Sequence, residues 1–159
     1  MSADGFTHLT ADGAVHMVDV SGKEPTVREA TAQAKVTVSE KVLEALLNGS
    51  VPKGDVWATA RIAGIAAAKK CAELLPLAHT IGIHGASVEF EIEAPYVLVK
   101  ATVRTADRTG VEMEALTAAS IAALSIVDMV KGLDRSVRID EVYLLEKRGG
   151  RSGTWTREV

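Results

Sequence analysis

Arg28-Glu29-Ala30-Thr31-Ala32-Gln33-Ala34-Lys35-Val36-Thr37-Val38 is the stretch on which the fold turns. In an extended chain Ala30, Ala32, Ala34, Val36 and Val38 fall on one side, and Thr31, Gln33, Lys35 and Thr37 fall on the other. A strict two-residue period of this kind predicts a strand with one buried and one wet face. The period returns downstream. Val88, Phe90 and Ile92 alternate with Glu89, Glu91 and Glu93, and beyond Ala94-Pro95 the residues Val97, Val99, Ala101 and Val103 alternate with Lys100, Thr102 and Arg104. Two such runs across a short break predict a hairpin. A last strand is expected from about Val137 to Leu145, with a bulge where the period falters at Asp140-Glu141.

Helices fill the intervals. Ser39 is placed to cap a short helix running through Leu47 and stopped by Asn48-Gly49. After the loop Val51-Pro52-Lys53-Gly54-Asp55, an alanine-rich helix is predicted from Val56 to Leu75, ending at Pro76. Gly64 and its neighbouring alanines keep that helix thin and suit it to close packing. A second long helix spans 111–132. With the short helix set aside, the order from residue 28 is strand, helix, strand, strand, helix, strand. That is the ferredoxin-like split βαβ arrangement: an α+β fold, one antiparallel sheet with its helices on one face. No internal repeat or linker divides the chain, so a single domain over 1–159 is expected. Residues 15–20 are expected to form a short extended piece, and the ends at 1–14 and 150–159 are expected to be flexible.

Composition narrows the function. The chain has 159 residues, 47% of them hydrophobic but only 4% aromatic, so the core is built from Ala, Val, Ile and Leu. The formal charge of 18 − 21 = −3 argues against a general nucleic-acid surface. Cys71 is the only cysteine, which rules out an intrachain disulfide and an all-cysteine metal site. The first ten residues lack the basic start and apolar run of a signal peptide. The longest apolar stretches carry charges inside the ~20 residues that a membrane span needs. A cytoplasmic protein that binds neither nucleic acid nor membrane is expected.

Two regions suggest chemistry. Asp128 and Lys131 are i,i+3 neighbours on the second long helix, so acid and ammonium project from one face and can pass a proton. An ordinary surface ion pair explains the same spacing. Glu112 and Glu114 open the helix, where carboxylates complement its dipole. A carboxylate also accepts two hydrogen bonds from a guanine-type edge. Glu114 and Asp128 lie within about 40° of one stripe but roughly 21 Å apart along the axis. One small-molecule site cannot use both ends of one copy, whereas two copies packed antiparallel bring start and end together, which points to a site shared in an oligomer.

Lys53, on a loop before a helix, is placed to hold phosphate, although the glycine spacing of a P-loop is absent. His79 sits in the loop after Pro76 and can titrate or hydrogen-bond a ligand. His16, His79 and His84 lack any zinc spacing, so no metal site is expected. Gly149–Gly153 reads as an exit loop.

Several long runs in fixed order resemble the cyclic pyranopterin monophosphate synthase family of molybdenum cofactor biosynthesis. They are His16-Met17-Val18-Asp19-Val20, Pro52-Lys53-Gly54-Asp55-Val56, Ala58-Thr59-Ala60-Arg61-Ile62-Ala63-Gly64-Ile65, Thr109 to Ala118, and Asp128-Met129-Val130-Lys131. The resemblance reaches to Gly149-Gly150. It implies a ferredoxin-like lyase that converts a cyclised dihydroguanosine triphosphate into cyclic pyranopterin monophosphate and pyrophosphate. It also implies a hexamer, a trimer of dimers with sites between subunits. By resemblance Asp128 is the catalytic aspartate, Lys131 its partner and Lys53 a second essential lysine. Met113, Glu114 and Leu77-Ala78-His79 match substrate-binding positions, and Asp19 and His16 match positions near the pocket. No cofactor is expected; whether a magnesium ion accompanies the phosphates does not follow from the sequence. The family's Pro-Leu-Cys-His-Pro loop here reads Pro76-Leu77-Ala78-His79-Thr80, which leaves open a divergent or non-catalytic paralogue that binds a pterin or nucleotide. An unrelated ferredoxin-like regulator fits the fold but leaves the matching runs unexplained.

Overall fold

The alternating runs become the centre of one sheet. In the computed structural model, which describes residues 7–158, β1 (Thr26–Thr37) lies between β3 (Tyr96–Asp107) and β4 (Arg138–Arg148). β2 (Gly85–Glu93) pairs outside β3, and a two-residue β5 (Trp155–Thr156) pairs outside β4, giving the order β2-β3-β1-β4-β5 with every pairing antiparallel. The first four strands have the order that the split βαβ reading requires. The bulge expected at Asp140 is present, because the register between β1 and β4 steps from Lys35↔Glu141 to Val36↔Ile139. A second step passes over Leu145.

Two helices cover one face. α2 (Val56–Ala68) and α4 (Glu112–Val130) pack on the side of the sheet that carries Ala30, Ala32, Ala34, Val36, Val97, Val99, Ala101 and Val103, all buried. α4 answers with Ala115, Ala118, Ala119, Ala122, Ala123 and Ile126, each essentially inaccessible. Small residues let the backbones approach closely. A β-carbon added at Gly64 of α2 would stand 3.0 Å from the Ala118 carbonyl oxygen of α4 and from a Val88 methyl. α1 (Glu40–Asn48) adds Val42, Ala45 and Leu46 to the core and ends on Gly49 at φ 64°, the left-handed turn that favours glycine. By length and hydropathy α4 could cross a bilayer, but half of that stretch is the core of this fold.

Local expectations are revised at the helix ends. Ser39 occupies the N-cap position of α1 but its hydroxyl makes no cap bond, whereas Asp55, unforeseen, caps α2 by accepting from the Ala58 N–H at 2.9 Å. The helix expected over 56–75 stops at Ala68. The chain turns at Lys69-Lys70 and resumes as α3 (Cys71–Leu74), a change of direction that seats Cys71 in the core at 1% exposure. The tail supplies the two-residue β5. There the Arg157 N–H donates to the Leu145 carbonyl at 2.8 Å, and its guanidinium lies over the Tyr143 and Trp155 rings. Of the lead-in over 1–14, residues 1–6 lie outside the described residues. Leu9 pairs with Val15 in an isolated bridge, and residues 16–20 have no regular structure.

Candidate active site in two halves

α2 and α4 run antiparallel, as the split βαβ order demands, so the start of each lies beside the end of the other. Each end gathers part of the expected site.

At the C-terminal end of α4, Lys53, Asp128 and Lys131 meet. The Lys131 Nζ stands 2.6 Å from Asp128 Oδ1, and the Lys53 Nζ stands 3.2 Å from Oδ2. Lys53 also donates to the Asp128 backbone carbonyl at 2.8 Å, an acceptor at the negative end of the helix dipole. All three side chains are about half exposed. The Lys131 ammonium, and after it Lys53, holds the Asp128 carboxyl below the ordinary carboxylate range. The cluster therefore presents two ammonium groups around one ionised acid, open to solvent in the single chain.

At the other end of α4 lies a cleft of about 430 Å³. Leu77, Ala78, His79, Met113 and Glu114 all line it. His79 is fixed by donation from Nε2 to the Val18 carbonyl at 2.6 Å. A carbonyl can only accept, so that nitrogen carries the proton and Nδ1 of the neutral ring keeps its lone pair. Glu114 is 4% exposed. Burial pushes its carboxyl above the ordinary value, opposed by its own amide and the neighbouring Cys71 thiol. Glu112 instead pairs with Lys147 at 3.0 Å.

Asp19 lines an adjoining cleft of about 580 Å³ that shares His79 as a wall, and its carboxylate accepts from the Ser21 N–H at 2.8 Å, which lowers its pKa. His16 is exposed and lines neither cleft; its backbone N–H bonds the His8 carbonyl. Two further basic residues line the first cleft, His8 and Lys23, neither of them marked by a motif in the sequence. Lys23 follows Ser21-Gly22 in a turn whose only local signal is a glycine beside a lysine. Among the described residues no group of three or more His, Cys, Asp or Glu is arranged to hold a metal ion.

The two halves do not meet in one chain. Asp128 lies fourteen positions after Glu114 on uninterrupted helix, about 21 Å at 1.5 Å per residue. Along this helix Met113, next to Glu114, and Leu124, between the two halves, are both about half exposed.

A model of the MoaC family matches residues 17–150. Cyclic pyranopterin monophosphate synthase of Geobacter metallireducens is 55% identical over 155 residues, which cover 96% of this chain and 97% of that protein. The synthase of the same name from Streptomyces coelicolor is 51% identical over 154 residues, covering 97% and 91%. That of Chloroflexus aggregans is 50% identical over 159 residues, covering 99% and 96%.

Proposed function

We propose that this chain, which belongs to the MoaC family, is a lyase of molybdenum cofactor biosynthesis that converts cyclised dihydroguanosine triphosphate into cyclic pyranopterin monophosphate with loss of pyrophosphate. The observation that carries the reading is identity of 50–55% along nearly the whole chain with proteins bearing that product's name.

The geometry suits the chemistry. Closing a cyclic phosphate on the α-phosphorus drives negative charge onto the departing pyrophosphate, and Lys53 and Lys131 offer two ammonium groups to it. Asp128, held ionised by those lysines, is a poor proton donor near neutrality. Its role is to hold the two lysines in place, and the proton donor is an ammonium. At the other half Glu114 faces the guanine-derived ring and accepts from its N–H edge. The free Nδ1 of His79 takes a proton during ring opening. Asp19 and His16 lie on the segment that leads to this half. A magnesium ion, where one is used, enters with the phosphates.

Separation of the halves on α4 supports a site completed by a second copy. In an isologous pair of antiparallel α4 helices, the Glu114 end of one protomer faces the Asp128 end of its partner. Met113 and Leu124 supply apolar area for that contact. A hexamer as a trimer of dimers extends the same arrangement, and a cytoplasmic location goes with a metabolite substrate and an unpaired cysteine.

Incubation of the protein with the cyclised triphosphate, followed by mass spectrometry, tests the reading. Formation of cyclic pyranopterin monophosphate and pyrophosphate is expected from the wild type. Its loss is expected in Lys53→Ala, Asp128→Asn and Lys131→Ala. Substrate binding without turnover by the wild type would instead identify a pterin- or nucleotide-binding paralogue.

A further inference from the structure

Residues 17–23 carry neither helix nor strand, yet they wall both clefts. Val18 and Val20 line the two of them, Lys23 lines the first and Asp19 the second. A segment with no ladder of its own stays in place only where the rest of the chain grips it. The Lys23 N–H donates to the Val20 carbonyl at 3.0 Å and closes a turn around Gly22. Two side chains from the body of the domain reach the segment, one near each end. His79 Nε2 donates to the Val18 carbonyl at 2.6 Å, and Arg108 Nε donates to the Lys23 carbonyl at 2.8 Å.

Arg108 is itself braced. It follows the last residue of β3, and its backbone N–H donates to the Asp107 carboxylate at 2.7 Å. Its carbonyl accepts from Arg28 Nη2 at 3.2 Å, while Arg28 Nε donates to the Asp107 carbonyl at 3.1 Å. Arg28 stands on β1, so the grip is referred to the sheet. On its other side the Gly149-Gly150 turn closes against Arg28. A β-carbon added at Gly150, where φ is 73°, would collide with the Arg28 guanidinium. Gly153 has a similar φ of 66° but open space around it, so the two glycines differ in what they leave room for.

We propose that Arg108 is a positioning residue, a latch that holds residues 17–23 in place as the common wall of the two clefts. The proposal rests on the functional reading only for the substrate that the wall faces; the latch itself is a statement about this chain.

A charged donor on a neutral carbonyl, both partly withdrawn from water, makes a stronger bond than two neutral partners do. Without it the wall is tied at Val18 alone, and the stretch carrying Asp19 and Lys23 leaves its place for part of the time. Substrate then binds only the fraction of molecules whose wall is seated, and its apparent affinity falls in proportion. The latch needs a donor at the position of Nε and no charge. Glutamine places an amide nitrogen the same number of bonds from Cα, whereas methionine places a methyl group there.

The test combines hydrogen exchange, read by mass spectrometry over residues 17–23, with steady-state turnover of the cyclised triphosphate. In Arg108→Met the Ser21 and Lys23 amides should exchange about tenfold faster, and KM should rise about five- to tenfold with kcat within about twofold of wild type. Arg108→Gln should recover most of both losses. Gly150→Ala should speed exchange over 17–23 by displacing Arg28, whereas Gly153→Ala, with the same backbone strain, should not. Wild-type exchange in Arg108→Met overturns the latch. Faster exchange with unchanged KM overturns the positioning role. A KM as poor in Arg108→Gln as in Arg108→Met overturns it too, because the guanidinium charge would then act on substrate directly. Should Arg108→Met fail to fold, the two glycine variants read the latch from its other end. A wild type that does not turn over the triphosphate refutes the functional reading, and the exchange measurements still decide the latch.

Discussion

Two inactive variants should restore each other when mixed. Glu114→Ala disables the cleft half of the site and Asp128→Asn disables the lysine half, and the two positions stand about 21 Å apart on one rigid helix. If each working site takes Glu114 from one protomer and Asp128 from another, the mixture obeys simple statistics. A site in a randomly reassembled 1:1 mixture draws an intact Glu114 with probability one half and an intact Asp128 from the other copy with probability one half. About one quarter of the sites are then whole, so about a quarter of wild-type turnover is expected. The fraction is the same for a dimer and for any larger ring built on the same exchange. The assay dissociates the two variants in mild denaturant, removes it, and follows pyrophosphate release alongside each variant treated alone. Sites contained within single chains would carry one lesion each in every mixed assembly. Turnover no greater than the separate backgrounds, with subunit exchange verified by native mass spectrometry of differently tagged chains, would refute the shared site.

The remaining predictions concern stability. Burial holds the Glu114 carboxyl above its ordinary 4.5, so its contribution to folding is complete below that value and is lost as pH rises through the folded-state pKa. Glu114→Gln, neutral throughout, should therefore melt about 2–4 °C above wild type near pH 7.5 and with no such advantage near pH 4; an advantage independent of pH in thermal denaturation would contradict the burial argument. Gly64→Val should cost about 1–3 kcal/mol, because its first side-chain carbon would already stand 3.0 Å from the Ala118 backbone oxygen. An unchanged denaturant midpoint would show that α2 and α4 have slack between them.

Much of the fold was readable because alternation and strand burial are the same fact seen twice. The period of Ala30 to Val38 marks the strand that lies at the middle of the sheet, and its failure at Asp140 marks the bulge. What escaped depends on contacts between distant parts of the chain. Nothing local distinguishes Lys69-Lys70 from two more helical residues; the turn there follows from seating Cys71 beside Thr117, 46 positions away. Glu114 reads equally well as an exposed first-turn acid, and only the packing of α3 and the 77–79 loop makes it buried. Lys53 and Asp128 are joined across 75 positions. The antiparallel course of α2 and α4 implies that meeting, but the residue types do not. Asp128 with Lys131 was legible from spacing alone, whereas their significance came from the family resemblance. His8 and Lys23 had no pattern to betray them.

The sheet's two margins are finished by different means, and the difference governs what the protein refuses to bind. At one margin the returning tail lays Trp155-Thr156 along the end of β4 only, against Lys147 and Glu146, with Arg157 stacked on two rings, and so blocks that end of the edge. At the other, β2 offers its outer backbone freely but bears Glu89, Glu91 and Glu93, all exposed. A second molecule approaching that rim edge to edge would set its own three acids against these, and like charges in adjacent strands repel. In a chain this rich in valine and alanine, the acidic rim of β2 thereby works against polymerisation through that edge.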